Sequence, residues 1–119
     1  MNGAVIISWG SGIPGREASG LDVFGKAVAH FEGMSKVGRI HGHREYFSVT
    51  GNAGGFMMLD GELDELMKIL GEPDTIRLND QASAIVSDFR IQAFAGGTDQ
   101  SIQELMADYT SVMGEMGYM

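Results

Sequence analysis

The stretch Arg39-Ile40-His41-Gly42-His43-Arg44-Glu45-Tyr46-Phe47 gathers two of the chain's three histidines, two of its eight basic residues and a carboxylate. It does so inside a segment with the look of a β-strand. In a regular strand alternate side chains share a face, which sets His41, His43 and Glu45 on one side and Arg44 and Tyr46 on the other. Two histidines and a carboxylate suit a divalent metal in facial geometry. However, alternate positions on a strand lie about 7 Å apart, Glu45 is two pleats from His41, and no third histidine is near, so no metal ligands are assigned. Histidine also titrates close to neutrality and can move a proton. Asp88 or Glu45 would orient such a base, and Arg90 or Arg44 would hold an anionic substrate or enolate. A structural reading stands beside these: charges on an edge strand discourage edge-to-edge association.

The elements that must position these residues follow from periodicity and punctuation. Val5 to Trp9, rich in β-branched and aromatic residues, is expected as a first strand. Gly10-Ser11-Gly12-Ile13-Pro14-Gly15 breaks it. It has the glycines of a phosphate loop, but it lacks the lysine, and Pro14 removes a backbone donor. Arg16 to about Lys36 is expected as a helix with a broad stripe on Leu21, Phe24, Val28 and Phe31, flanked by Val23, Ala27 and Met34, which leaves His30 on the surface. Ile40–Thr50 and Phe56–Asp60 are expected as a hairpin turning at Gly51–Gly55, because five residues are too few for a parallel crossover. A short helix over 62–70 has its acids in the first turn. A further helical piece begins at Pro73. Ala84–Ala95 is expected as the last strand, with Asp88 and Arg90 on one face. A final helix, capped by Thr98 or Asp99, carries the stripe Ile102, Leu105, Met106, Tyr109, Val112, Met113 and Met116.

The order βαββαβ with a C-terminal helix predicts an α+β, ferredoxin-like domain spanning residues 1–119: a four-stranded antiparallel sheet, strand order 4-1-3-2, with both crossover helices on one face. The opposite face must then be polar, covered by the last helix, or buried against a second chain. Strands one and three are apolar on both sides while the last strand mixes Asp88, Arg90 and Gln92 with Phe94. That pattern predicts a covered, ligand-sized space.

Composition narrows the partners. The 119 residues suffice for one core. Sixteen acidic residues against eight basic give a net charge of −8, which repels phosphate backbones and argues against nucleic acid. No apolar run reaches the roughly 18–20 residues of a membrane helix. Residues 1–7 have neither the basic start nor the apolar length of a signal peptide, so a cytoplasmic location is expected. The absence of cysteine rules out thiolate ligands, disulfides and a cysteine nucleophile.

The chain resembles the dimeric α/β-barrel superfamily in topology over nearly its whole length. Locally it is most similar to small uncharacterised bacterial members, through Ser8-Trp9-Gly10-Ser11-Gly12-Ile13-Pro14-Gly15-Arg16-Glu17 and Gly54-Gly55-Phe56-Met57-Met58-Leu59-Asp60-Gly61. The resemblance implies a homodimer packed sheet against sheet, with a cavity in each subunit. It also implies a place among antibiotic-biosynthesis and haem-degrading monooxygenases, muconolactone isomerases and stress-responsive proteins. Cofactor-independent monooxygenases of this group commonly line the cavity with Asn, Trp and His, and Trp9 is the counterpart for the Trp.

The expectation is therefore a small enzyme without a cofactor, monooxygenase- or isomerase-like, acting on a hydrophobic small molecule. His41, His43, Asp88 and Arg90 form its acid–base set. Trp9, Arg44, Tyr46 and Phe94 are its substrate contacts. The alternative is a non-catalytic ligand-binding or assembly module of the same fold.

Overall fold

Glycine and β-branched residues partition the chain much as expected. The computed structural model describes residues 1–51 and 54–119, so the hairpin turn expected at Gly51–Gly55 lies partly outside the described residues. The strands are β1 (Asn2–Trp9), β2 (Gly42–Phe47), β3 (Gly55–Glu62) and β4 (Arg90–Ala95). The helices are α1 (Glu17–Lys36), α2 (Leu63–Leu70), α3 (Pro73–Ser83) and α4 (Asp99–Glu115). The sheet is antiparallel with order β2-β3-β1-β4, so the fold is ferredoxin-like.

Directly opposed residues share a face, and the register assigns both faces of the sheet. Val5, Ile7, Met57 and Leu59 point to the helices and are buried, with Phe31 and Met34 of α1 and Leu66 and Ile69 of α2 above them. The open face carries cross-sheet rows: Tyr46–Phe56–Ser8–Arg90, then Arg44–Met58–Ile6–Gln92, then Gly42–Asp60–Ala4–Phe94. Tyr46 and Phe56 stack in the first row, centroids 4.8 Å apart. No helix among the described residues covers this face, and Tyr46, Phe56 and Phe94 are exposed there.

Helix α1 buries one side of its expected broad stripe, and Leu21 alone of that stripe turns out. Its inward face is Gly20, Val23, Ala27, Phe31 and Met34, of which Val23, Phe31 and Met34 are buried, while Leu21 is 78% exposed. Spacings of three and four fit two adjacent helical faces equally well, and the larger buried volume of Phe31 with Met34 decides between them. His30 is half-buried, its Nε2 lying 2.9 Å from the hydroxyl of the fully buried Thr75 on α3.

The expected last strand is shorter than Ala84–Ala95. Residues 84–88 leave the sheet and run against the β1–α1 loop instead. Gly10 N–H donates to Ser87 O, Ile13 N–H to Ile85 O and Ser87 N–H to Ser11 O, and Gly12 bridges Val86. The break falls at Asp88, a non-glycine residue with φ of 53°. That left-handed conformation ends strand pairing and is tolerated best by Asp and Asn.

Helix α4 leaves the body. Its first turn is tied down: Thr98 caps it by accepting from Ser101 N–H, and the Ser101 hydroxyl accepts from the buried Asn2 N–H at 3.0 Å. Beyond that turn every residue is exposed or half-buried. The radius of gyration is 16.9 Å, against about 13.5 Å for a compact domain of this length. The projecting helix accounts for the difference.

Candidate functional site

A cavity of about 510 Å³ lies on the helix-covered side, between the N-terminal half of α1, the sheet and residues 84–89. Its origin is a size gradient along the inward face of α1. Phe31 and Met34 close the core at one end, while Gly20 and Ala27 leave room at the other. The walls are almost wholly apolar: Ile7, Trp9, Phe24, Phe47, Met57 and Phe89, with Leu21 at the rim. Volume and lining match a site for a small organic molecule.

The aromatic wall depends on a glycine. Phe47 and Trp9 flank Gly55 across the sheet on the helix face. A Cβ at Gly55 would lie 3.1 Å from the Trp9 ring. Without it, Trp9 and Phe47 meet over the glycine with centroids 6.0 Å apart. Phe24 of α1 completes the trio, at 6.1 Å from Trp9 and 5.3 Å from Phe47. Such tilted and edge-on pairs add to the packing of apolar area.

Polar groups lie on the solvent side of the cavity lining. Arg16 donates from its guanidinium to Ala84 O, joining the loop to residues 84–88. Glu17, beside it, accepts from Gly15 N–H at 3.1 Å. Hydrogen bonds from its own backbone N–H and from that of Gly15 lower its pKa below the usual carboxylate value. Asn79 of α3 is the third polar lining residue.

The sequence-predicted residues are divided between the two faces. His43 and Glu45 oppose Leu59 and Met57 and so lie on the helix face. His43 Nε2 is 2.6 Å from Glu32 of α1, and its Nδ1 bonds Glu45. Burial of the ring opposes its charge, but the two carboxylates outweigh burial and raise the pKa above the ordinary 6.5. His41 does not share this face. It precedes the first rung of β2, and its Nδ1 lies 3.6 Å from Asp60 Oδ2. Asp88 stands in the left-handed break and Arg90 on the open face, so no regular-strand pair forms between them. Arg44, Tyr46 and Phe94 are on the open face. Trp9 alone of the eight walls the apolar cavity.

The open face has its own hollow of about 440 Å³, bordered by Asn2, His41, Arg44, Met58, Asp60 and Phe94. Asp60 there accepts from Asn2 Nδ2 at 3.2 Å. Among the described residues no group of three or more His, Asp or Glu side chains is arranged to hold a metal ion. No helix among them is long and apolar enough to cross a membrane.

Sequence reasoning missed the cavity under α1. The signal present was Gly20 and Ala27 on the same helical face as Phe31, a taper hidden when glycine is read as punctuation.

No family model matches the chain, and no curated protein matches it by sequence. Solved structures do. SnoaB, a cofactor-independent oxygenase from Streptomyces nogalater, superposes with a TM-score of 0.58 at 14% identity, over 82% of this chain and 96% of that one. A protein assigned to the antibiotic biosynthesis monooxygenases from Deinococcus radiodurans gives 0.62 at 12% identity, over 82% and 94%. A dimeric ferredoxin-like protein of unknown function from Jannaschia sp. CCS1 gives 0.56 at 12%, over 76% and 94%. The likeness is one of fold: this chain has the ferredoxin-like α+β fold that these oxygenases and dimeric proteins share.

Proposed function

We propose that the protein is a monooxygenase-type enzyme working without a bound cofactor. Its substrate is a flat, hydrophobic small molecule taken into the cavity under α1, and its working form is a homodimer. The observation that carries the reading is the apolar cavity walled by Trp9, Phe24 and Phe47. The fold shared with a cofactor-independent oxygenase supports it. Dimeric neighbours and an uncovered, half-apolar sheet face support the homodimer.

The chemistry follows from what the cavity lacks. The one carboxylate of its lining is Glu17, on the solvent side, and no histidine lines it, so the substrate must carry an acidic proton of its own, as a phenol does, and pass it to Glu17 or to water. Arg16 beside the cavity favours the phenolate electrostatically. An electron-rich phenolate can reduce dioxygen directly, and dry aromatic walls protect the intermediate from water. In this reading Trp9 contacts the substrate. Of the acid–base set, His41 and Arg90 serve proton transfer only for a substrate bound at the open face, where His41 meets Asp60; His43 is held by Glu32 and Glu45 on the helix face and Asp88 stands in the break before β4.

Oxygen uptake with a tricyclic phenol tests the proposal, alongside binding of the same compound by calorimetry. Wild-type protein is expected to bind and consume oxygen. Ala27→Trp, which fills the cavity, is expected to lose at least ten-fold in both, with its circular dichroism unchanged. Binding without oxygen uptake would identify a ligand-binding module. Binding unaffected by Ala27→Trp would remove the cavity from the account.

A further inference from the structure

The walls of the cavity under α1 are not equally held. Those on the sheet and on α1 belong to the core, for Ile7, Met57, Val23 and Phe31 line the cavity and are buried. The wall made by the β1–α1 loop and residues 84–88 is different, since no residue of 10–16 or 84–88 is buried. Gly12 and Val86 face each other across the line where these two segments meet. Both line the cavity, so the seam between the segments runs through the wall itself.

A few hydrogen bonds close that seam. Gly10 N–H donates to Ser87 O at 2.8 Å, Ser87 N–H to Ser11 O at 2.7 Å and Ile13 N–H to Ile85 O at 2.9 Å. Ser11 N–H donates to the Ser87 hydroxyl at 2.8 Å, and Arg16 reaches Ala84 O. The close approach needs a glycine, because a Cβ at Gly10 would stand 2.7 Å from the Ser87 hydroxyl. Water replaces bonds of this kind readily, so each adds little net stability. Segments with exposed hydrogen bonds and little buried area open first. Asp88, next to the seam, keeps its left-handed φ of 53°. That conformation is unfavourable for a non-glycine residue, and opening relaxes it.

We propose that this seam is the gate of the cavity: the β1–α1 loop and residues 84–88 part to admit the guest and rejoin over it. The sheet and α1 stay in place, because their cavity residues are shared with the core. The inference rests on the cavity reading given above and adds the route by which the cavity is filled.

A disulfide across the seam tests it. The chain has no cysteine, so an engineered pair has no competitor. The bonds from Ile13 to Ile85 and from Ser87 to Ser11 make Gly12 and Val86 a non-hydrogen-bonded antiparallel pair. The Cα atoms of such a pair lie about 4.5 Å apart, within the roughly 4.4–6.8 Å that a disulfide spans. A side chain at Gly12 meets nothing within 4 Å. Gly12→Cys/Val86→Cys is mixed under nitrogen with a phenanthrol, a fluorescent tricyclic phenol, and binding is followed by stopped-flow anisotropy of the probe. Reduced, the variant is expected to bind and release the probe at wild-type rates. Oxidised, it is expected to do both at least about ten-fold more slowly, as a locked lid must. Amide exchange of the wild-type chain needs no variant: Gly10, Ile13 and Ser87 are expected to exchange at least about 100-fold faster than β1 and β3. Equal rates in the two redox states, or exchange at Ser87 as slow as in β1, overturn the gate and leave the cavity standing. Failure of the wild-type chain to bind the probe overturns both. Gated binding without oxygen uptake supports the gate and removes the oxygenase reading.

Discussion

His43 and Glu32 join β2 to α1, Nε2 to carboxylate, at 2.6 Å. The other ring nitrogen holds Glu45 on the same strand, so one imidazolium fastens an edge strand to the helix above it. Two residues further along, on the same face, Phe47 enters the cavity wall. His43 therefore sets how firmly that wall is held.

Stability should fall as pH rises. The folded-state pKa of His43 is raised above 6.5, so the protonated clamp contributes fully below 6.5 and is lost as pH rises through the higher folded value. His43→Gln should cost about 1.5–3 kcal/mol at acidic pH, the range for hydrogen bonds to charged groups, and much less in alkaline buffer. Urea unfolding of both proteins across pH measures this. A pH-independent difference would show that the ring acts by packing alone.

Arg39 ties three segments. Its Nε reaches Glu65 of α2 at 2.8 Å, and its two terminal nitrogens grip Glu72, just before α3, at 2.8 and 2.9 Å. A flat fork is needed for that grip. Arg39→Lys should lose about 1 kcal/mol by thermal unfolding, and the loss should shrink in high salt because the groups are partly exposed. Equal loss at all ionic strengths would contradict an electrostatic origin.

Leu59 and Phe47 lie on the same sheet face, yet their truncations should separate stability from binding. Leu59 is fully buried, and Leu59→Ala should cost about 2–5 kcal/mol. Phe47 is 60% exposed and contributes mainly aromatic edge contacts, so Phe47→Ala should cost about 0.5–1.5 kcal/mol. Ligand affinity should follow the opposite order, falling several-fold more for Phe47→Ala. Paired denaturation and calorimetry decide it.

Ser101 carries the root of α4. Replacing it with Ala leaves the buried Asn2 N–H without its acceptor, at about 1–3 kcal/mol. Thr98→Ala removes the cap, at about 1 kcal/mol. Amide hydrogen exchange should report faster opening of α4 in both variants, with β1 and β3 nearly unchanged in Thr98→Ala. Uniform acceleration throughout the domain by Thr98→Ala would refute a local cap.

Strands β1 and β3 were legible because each is an unbroken run of apolar residues bounded by glycine, and α4 because its stripe admits one helical face. The fold class followed from element order. The candidate site was harder to read. Ile85, Val86 and Phe89 have the composition of a strand, but a single left-handed residue, Asp88, diverts them to pair with the loop at Gly10–Ile13. His41 and His43 look like same-face neighbours, but pairing begins between them, at Gly42. The cavity depends on what is missing, a side chain at Gly55 and bulk at Gly20 and Ala27, and periodicity of apolar residues does not register empty volume.

Gly55 has one more consequence. The chain has a single tryptophan, and the bare glycine leaves its indole in the cavity wall beside Phe47 and Phe24. Every photon of tryptophan emission therefore originates at the proposed site. A guest that displaces water from the indole will shift that emission to the blue, and one that stacks on it will quench it. The protein thus carries its own optical gauge of occupancy, readable without label or substitution.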